Sequence, residues 1–334
     1  MRDTAVAGMT RRERVAAAFR GAPVDYPPVT FWQHSPGRDL RAESLAAATV
    51  ELAGAFDLDL IRLVPTGMYS VMDYGMETRL ATDGSGSTEF VSGPIKRPED
   101  WRRLPPVTAR AGQLGEQVRA VALVREALGP DVPILQTVFS PLTMAVKLAG
   151  GKLGPLILES GDAIHDALAR MAADVAAFGA ACLDSGADGI FFLCIHANES
   201  VDRAVYEALG VPYDLRVLTA LRERAWGIML HIHGRGPYFD LANRYPVDAV
   251  SWEDRETEPS LRDALALTSR CLTGGIGRVD PLVTGSSSDV TAQVEAVLAA
   301  TGERRIVVAP GCTLPHGVQE ENLRALVAAV RGGE

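Results

Sequence analysis

Cysteine is scarce in this chain. Its 334 residues hold four, Cys182, Cys194, Cys271 and Cys312, too few and too scattered for a secreted disulfide framework, and none is in CxxC spacing. That points to a reducing compartment. Positive charge is in deficit as well: 33 Lys plus Arg stand against 42 Asp plus Glu, a formal balance of −9. No run of like charge forms a basic patch, which argues against nucleic acid or a membrane surface as partner and leaves a small-molecule substrate, for which an anion would need local positive charge. Long apolar runs are missing too. Nowhere do about 18 uncharged apolar residues follow one another, and no apolar stretch precedes the first helix signal. The expectation is a cytoplasmic protein with no membrane segment. There is also no Gly-rich dinucleotide fingerprint, internal repeat, low-complexity tract or compositional break. With 47% hydrophobic residues to build a core, the chain is expected to form one domain over residues 1–334.

What is present is an alternation. A helix is announced at "TRRERVAAAFRG", where Thr10 and Glu13 have capping-box spacing and Gly21 supplies a stop. Short β-branched and aromatic runs then recur as "PPVTFWQH", "LDLIRLVP", "VPILQTVF", "DGIFFLCIH", "WGIMLHIH", "VDAVSWED", "CLTGGIG" and "RIVVAPG", eight candidate strands. Helical patterns lie between them. The clearest spans 161–185, where Ile164, Leu168, Met171, Val175, Phe178 and Cys182 step by four and three; others fit 43–56, 212–224, 259–268, 288–300 and 319–331. Eight strand–helix repeats without a dinucleotide fingerprint predict an α/β protein, a closed (β/α)8 TIM barrel rather than an open doubly wound sheet. Residues 66–130 are too long for a simple crossover and carry "TRLATDGSGSTEFVSG", two alternating runs joined across Asp83, Gly84, Ser85 and Gly86. They predict an inserted hairpin around 79–93, a lid over the barrel mouth or mere decoration.

In such a barrel, chemistry collects at the carboxyl ends of the strands. Of six histidines, His34, His196, His231, His233 and His316 fall at or just beyond a predicted strand end, and only His165 is placed on a helix. His231 and His233 are two apart on one strand, so both side chains leave the same face and converge. With Cys312 just past the last strand they offer a His2Cys donor set whose fourth position is open, the pattern of a catalytic zinc site. The plainer reading is a hydrogen-bonded histidine, a packed one and a small buried thiol. His34 and His196 are candidates for proton handling, with Asn198 and Glu199 beside His196 to fix its tautomer, though a lone histidine is more often structural. Trp252, Glu253, Asp254 and Arg255 close the sixth strand; Asp254 is a candidate catalytic carboxyl and Trp252 and Arg255 candidate substrate contacts, unless Asp254 and Arg255 merely pair. Arg38 and Lys147 are the cations nearest the predicted mouth and could clamp a carboxylate, or could equally be solvated.

Taken together, "TRRERVAAAFRGAPVDYPPV", "FSPLTMAVKLAGG", "SGADGIFF", "LHIHG" and "APGCTLPHGVQEENLRALV" resemble, in order over nearly the whole chain, the uroporphyrinogen decarboxylase superfamily. The resemblance implies a single barrel with its site at the carboxyl ends of the strands, and a homodimer or monomer. It also implies a choice of chemistry. The decarboxylase branch grips porphyrinogen carboxylates with an Arg-Gln-Ala-Gly-Arg motif; "HSPGR" stands there, so His34 replaces the first arginine and Arg38 alone remains. Pro65 occupies the place of that branch's aspartate, Lys147 that of its tyrosine, and Cys312 that of its histidine. A substrate bearing several carboxylates and pyrrole NH groups would lack partners, so uroporphyrinogen itself is not the expected substrate.

The other branch consists of zinc-dependent methyltransferases that pass a methyl group between a corrinoid protein and a thiol, binding zinc through His-x-Cys on the fifth strand and a Cys after the eighth. His231 and Cys312 match the first and last ligands, and His233 takes the middle place. One thiolate with two neutral imidazoles leaves zinc a formal charge of +1 where two thiolates would leave it neutral, which shifts the centre toward a Lewis acid. The expectation is therefore a zinc enzyme, in its most specific form a methyltransferase between a corrinoid and a small thiol. The alternatives are a metal-free decarboxylase of a small acid, using Arg38 and Lys147, and a non-catalytic corrinoid- or tetrapyrrole-binding module.

Overall fold

The computed structural model describes residues 8–80 and 88–332. Its strands are β1 (Ile61–Leu63), β2 (Glu77–Arg79), β3 (Glu89–Ser92), β4 (Ile134–Phe139), β5 (Gly189–Cys194), β6 (Gly227–Ile232), β7 (Ala249–Ser251), β8 (Cys271–Ile276) and β9 (Ile306–Pro310). Seven of them form one parallel sheet in the order β1-β4-β5-β6-β7-β8-β9. Its strands are buried throughout, which is why their sequences read as near-continuous apolar runs. Helices cover the outside, including Arg11–Arg20, Ala42–Phe56, Asp162–Asp184, Val211–Arg222, Leu261–Leu267, Ser287–Thr301 and Glu320–Val330. The first keeps its anticipated capping box at Thr10 and Glu13 and its left-handed stop at Gly21.

The first candidate strand differs from expectation. Of "PPVTFWQH" only Val29 pairs in strand fashion, bridging in parallel to Val308. Thr30 N–H donates to Val308 O, Val308 N–H to Pro28 O, and Asp59 N–H to Val29 O. Residues 28–30 thus stand between β9 and β1 and close the curled sheet into a ring. Pro27 and Pro28 have no N–H to extend the ladder on its amino side; beyond Thr30 the chain leaves it and carries His34 to the rim.

Register is pinned at the amino ends of the strands by a repeated device. Asp59 accepts from Val29 N–H at 2.9 Å, Asp188 from Ile134 N–H at 2.7 Å, and Asp248 from Ile228 N–H at 2.7 Å. Each carboxylate also meets an arginine: Arg14, Arg12 with Arg125, and Arg222 respectively. Because a slip of one residue would turn every inward side chain outward, these anchors help set which residues face the carboxyl end.

The anticipated insertion is an antiparallel pair of β2 with β3. Residues 81–87, which include the expected turn at Asp83 to Gly86, lie outside the described residues. Thr88 meets Thr66 in a hydroxyl contact, so the insertion stands beside the loop that follows β1. Among the described residues, no helix is long and apolar enough to cross a membrane.

Candidate metal centre at the carboxyl ends of the strands

His231 is the next-to-last residue of β6, buried like the rest of the strand and 1% exposed. Its ring stacks on Phe191 of β5 at 5.3 Å between centroids, and its Nδ1 meets Ser251 Oγ of β7 at 3.1 Å. With the hydroxyl engaged at Nδ1, Nε2 is left facing inward. His233 follows just after the strand, its backbone N–H bound to Cys194 O. The buried Asn198 donates its Nδ2 to His233 O at 2.6 Å and to Ile195 O at 2.7 Å. Gly234 next to it has φ +93, a left-handed conformation, and a Cβ there would sit 2.7 Å from Asn198 Nδ2. The glycine lets the chain turn sharply enough for His233 to point back at its neighbour.

Cys312 reaches the same spot from β9. The chain before it runs against the backbone beyond β7: a Cβ on Gly311 would lie 2.8 Å from Trp252 O and from Glu253 Cα. Only glycine permits that approach. Cys312 Sγ consequently lies 3.6 Å from His231 Nε2 and 3.6 Å from His233 Nδ1, and one donor atom from each of the three residues lies within 4.8 Å of the others.

These distances provide a test of fit. A tetrahedral zinc with a Zn–S bond of about 2.3 Å and Zn–N bonds of about 2.05 Å places sulfur and nitrogen about 3.6 Å apart. Both observed S···N separations have that value. The donor chemistry agrees: burial opposes ionisation of Cys312, yet the two imidazoles hold its thiol well below the ordinary range. The residues present fit a zinc ion.

Glu253, placed by the sequence at the end of the sixth strand but given no role there, completes the surroundings. Its carboxylate lies 2.9 Å from His233 Nδ1 and accepts from Gly234 N–H at 2.7 Å. Burial works against its ionisation, but the bond to His233 pulls it down to about 2. His233 is disfavoured as a cation by burial, but Cys312 and Glu253 together raise it to about 10.

A cavity of about 150 Å³ opens beside the triad, lined by His34, Arg62, Pro65, Gly67, Thr137, Phe139, Lys147, Leu193, Ile195, His231, His233, Cys312 and Thr313. Among the candidates read from the sequence, His34 and Lys147 thus share it with the three donors. His34 Nδ1 is buried without a hydrogen-bond partner, 3.7 Å from Asp39. Lys147 Nζ donates to Gly67 O and lies 3.4 Å from the centre of the Phe139 ring; burial pushes its amine down to about 7. His196 stands close by, kept neutral as burial and the charges of Lys147 and His233 push it down to about 4. Its expected tautomer partner, Asn198, is spent on backbone carbonyls instead.

The other candidates are placed elsewhere. Arg38 is bound in a fork by Glu51 at 2.7 and 2.8 Å, on the outside of the helix Ala42–Phe56. Trp252 is fully buried and donates Nε1–H to Pro259 O at 2.8 Å. Asp254 accepts from Gly275 N–H at 3.0 Å, where burial raises it to about 7, and Arg255 is exposed. None of the four lines the cavity. The residue that sequence reasoning missed is Arg62, buried on β1 with its Nε donating to Thr137 Oγ1 at 3.0 Å and its guanidinium 3.9 Å from the centre of the Phe191 ring. Its signal was present: one arginine inside the apolar run "LDLIRLVP" has to face the interior of a strand buried on both sides.

The family model of uroporphyrinogen decarboxylase (URO-D) matches residues 10–333. The chain belongs to that family. Within this family it is similar to the methylcobamide:CoM methyltransferase MtbA of Methanosarcina acetivorans, 24% identical over 96% of this chain and 98% of the relative. It is likewise similar to the methylcobamide:CoM methyltransferase MtaA of Methanosarcina barkeri, 24% identical over 96% and 97%. Among solved structures, a methyltransferase from Methanosarcina mazei superposes with a TM-score of 0.82 at 22% identity, over 97% of this chain and 99% of that one. A B12-independent methionine synthase from Shewanella superposes at 0.60 and 12% identity, over 92% and 96%. At these identities the superpositions establish the shared α/β barrel fold.

Proposed function

We propose that this member of the URO-D family is a zinc-dependent methyltransferase, moving a methyl group between a corrinoid and a small thiol. The observation that carries the reading is the pair of equal 3.6 Å separations from Cys312 Sγ to His231 Nε2 and His233 Nδ1. Relatives named as methylcobamide:CoM methyltransferases support the choice of donor and acceptor. Zinc held by His231, His233 and Cys312 would supply Lewis acidity that lowers the pKa of a substrate thiol and keeps it nucleophilic at neutral pH.

The chain's own residues do the rest. Ser251 fixes the orientation of the His231 ring, and Asn198 with Gly234 fixes that of His233. Phe139, Leu193 and Ile195 give the cavity apolar walls that pack the substrate's carbon atoms and exclude water. Methyl passes as a cation equivalent from the corrinoid cobalt to the substrate sulfur, the cobalt keeping the electron pair. The thiol proton leaves to His34, which lines the cavity and whose Nδ1 stands 3.7 Å from the buried Asp39.

The cavity of about 150 Å³ beside the triad is of a size for a small thiol. The metal-free decarboxylase reading loses one of its two clamps, since Arg38 is committed to Glu51. Incubation of zinc-replete protein with methylcobalamin and a panel of small thiols tests the proposal. It should yield S-methyl product by mass spectrometry with loss of the methylcobalamin spectrum, both abolished by Cys312→Ser. Absence of product in the zinc-replete protein, or full activity in the variant, would refute it.

A further inference from the structure

The stretch "HSPGRDL" doubles back on itself before the helix Ala42–Phe56 begins. Arg38 N–H donates to Ser35 O at 2.8 Å, Gly37 supplies the left-handed φ of +78 that the reversal needs, and Ser44 Oγ donates to Arg38 O at 2.7 Å. The turn is also tied to the loop beyond β1, where Thr66 N–H donates to Asp39 O at 3.3 Å. Residue 39 is thereby brought back against residue 34: His34 Nδ1 and Asp39 Oδ2 lie 3.7 Å apart.

Asp39 is fully buried, and neither of its carboxylate oxygens has a hydrogen-bond partner among the described residues. His34 Nδ1 is buried and without a partner as well. Buried polar atoms in folded proteins are nearly always paired, because an unpaired one has given up its hydration for nothing. The neighbouring cation in sequence does not help, since Arg38 is held outside by Glu51. Among the described residues, the one basic group within ion-pair distance of Asp39 is His34. The gap is too short for a bridging water, which would hold the two atoms about 4.5 Å apart. A proton shared directly between them satisfies both, and a ring movement of roughly 1 Å makes the bond; catalytic hydrogen bonds commonly tighten in this way when substrate arrives.

We propose that Asp39 is the positioning residue of His34: its carboxylate accepts the His34 Nδ1–H and leaves His34 Nε2 bare as the base of the cavity. The base role rests on the methyltransferase reading for its thiol; the pairing does not. His34 Nδ1 is buried beside Asp39, while the side chain as a whole keeps 26% of its surface exposed and lines the cavity. The ring thus has an inner nitrogen for the carboxylate and an outer one for the substrate. When a substrate thiol ionises, its S–H bond breaks, the electron pair stays on sulfur and the proton joins Nε2. The imidazolium so formed gains a buried counter-charge from Asp39, which orients the ring and itself takes no proton. Asp39 touches neither substrate nor metal and acts through His34.

Proton–nitrogen correlation spectra of the zinc-replete full chain, isotope-labelled at its histidine ring nitrogens and assigned by the signal lost in His34→Gln, read the tautomer directly. Wild type should show His34 protonated at Nδ1 and bare at Nε2. Asp39→Ala should move His34 to the Nε2–H form. In methyl transfer from methylcobalamin to a small thiol it should lower kcat roughly tenfold or more with KM within about threefold, because the substrate's own contacts are untouched. Asp39→Asn, which keeps the volume and loses the charge, should lower kcat likewise with zinc content unchanged. If neither variant folds, the wild-type spectrum decides alone. His34 in the Nε2–H form in wild type, or a folded Asp39→Ala protein whose tautomer or kcat matches wild type, would overturn the pairing. If the Nδ1–H form is present and depends on Asp39 while no thiol is methylated, the pairing stands and the methyltransferase reading falls. Methyl transfer with wild-type His34 in the Nε2–H form leaves that reading in place and overturns the pairing.

Discussion

Replacing Asp214 by asparagine should change how the stability of this protein depends on pH. Asp214 lies on the helix Val211–Arg222 and is fully buried. Its Oδ2 accepts from Tyr206 at 2.6 Å, Tyr245 at 2.9 Å and the Cys194 thiol at 3.8 Å, whereas its Oδ1 has no partner. No cation pairs with it among the described residues. Burial therefore prevails over the three donors and raises its pKa from 3.8 to about 7. Below pH 3.8 both folded and unfolded chains hold the proton, and the folded state is not penalised. Between 3.8 and about 7 the folded state keeps a proton the unfolded chain has released, so stability falls as pH rises, and above 7 the full penalty is present. At about 1.4 kcal/mol per pH unit, that penalty is on the order of 4 kcal/mol, of which roughly 3 kcal/mol accrues between pH 5 and pH 8.

Asp214→Asn keeps an acceptor for the two tyrosines and removes the titration. Urea unfolding of both proteins at pH 5 and pH 8 gives the double difference directly, and the variant should gain roughly 3 kcal/mol on wild type over that interval. Asp254, also raised to about 7, and His196, lowered to about 4, contribute equally to both proteins and cancel. Parallel pH profiles would refute the reasoning. The site is linked to function as well, because Cys194 O holds the His233 N–H. Loosening this cluster should therefore register in metal affinity before it registers in activity.

Two further expectations concern the supports of the triad. Gly234→Ala forces a side chain onto φ +93 and toward Asn198 Nδ2 at 2.7 Å; a strain of about 1–2 kcal/mol per residue should weaken zinc binding by up to roughly five- to thirtyfold in a chelator competition, and unchanged affinity would contradict the role given to that turn. Glu253 stands 2.9 Å from the same His233 Nδ1 that faces Cys312, so Glu253→Gln removes a negative charge beside the ion and should reduce zinc affinity roughly tenfold. The same competition checks it, and an affinity equal to wild type would mean that this charge does not help to hold the ion.

How much of this was legible in the sequence depended on whether local chemistry or tertiary pairing decided the outcome. The helix at Arg11–Arg20 announced both its ends through Thr10, Glu13 and Gly21, and the long helix Asp162–Asp184 was visible from its apolar spacing. Period-two placement put His231 and His233 on one face, and the barrel order then made Cys312 their neighbour although some eighty residues separate them. By contrast, the first strand was overestimated because β propensity does not register the missing N–H groups of Pro27 and Pro28. Arg38 was expected at the mouth on its position in the chain, but Glu51, in the third turn of the next helix, holds it outside. Asp254, placed correctly at the end of β7, serves the backbone at Gly275, a use that no sequence spacing encodes. Arg62 and Glu253 went unassigned because their significance comes from what surrounds them: the first is a cation without a counter-ion, the second a carboxylate against a ligand ring.

X-ray absorption at the zinc edge, with metal content determined on the same sample, tests the central claim most directly. Protein supplied with zinc should hold one ion per chain whose nearest neighbours include one sulfur at about 2.3 Å and two imidazole nitrogens at about 2.0–2.1 Å. The sulfur contribution should vanish in Cys312→Ser. Wild-type protein that takes up no stoichiometric zinc, or a zinc environment built from oxygen and nitrogen alone, would contradict the account.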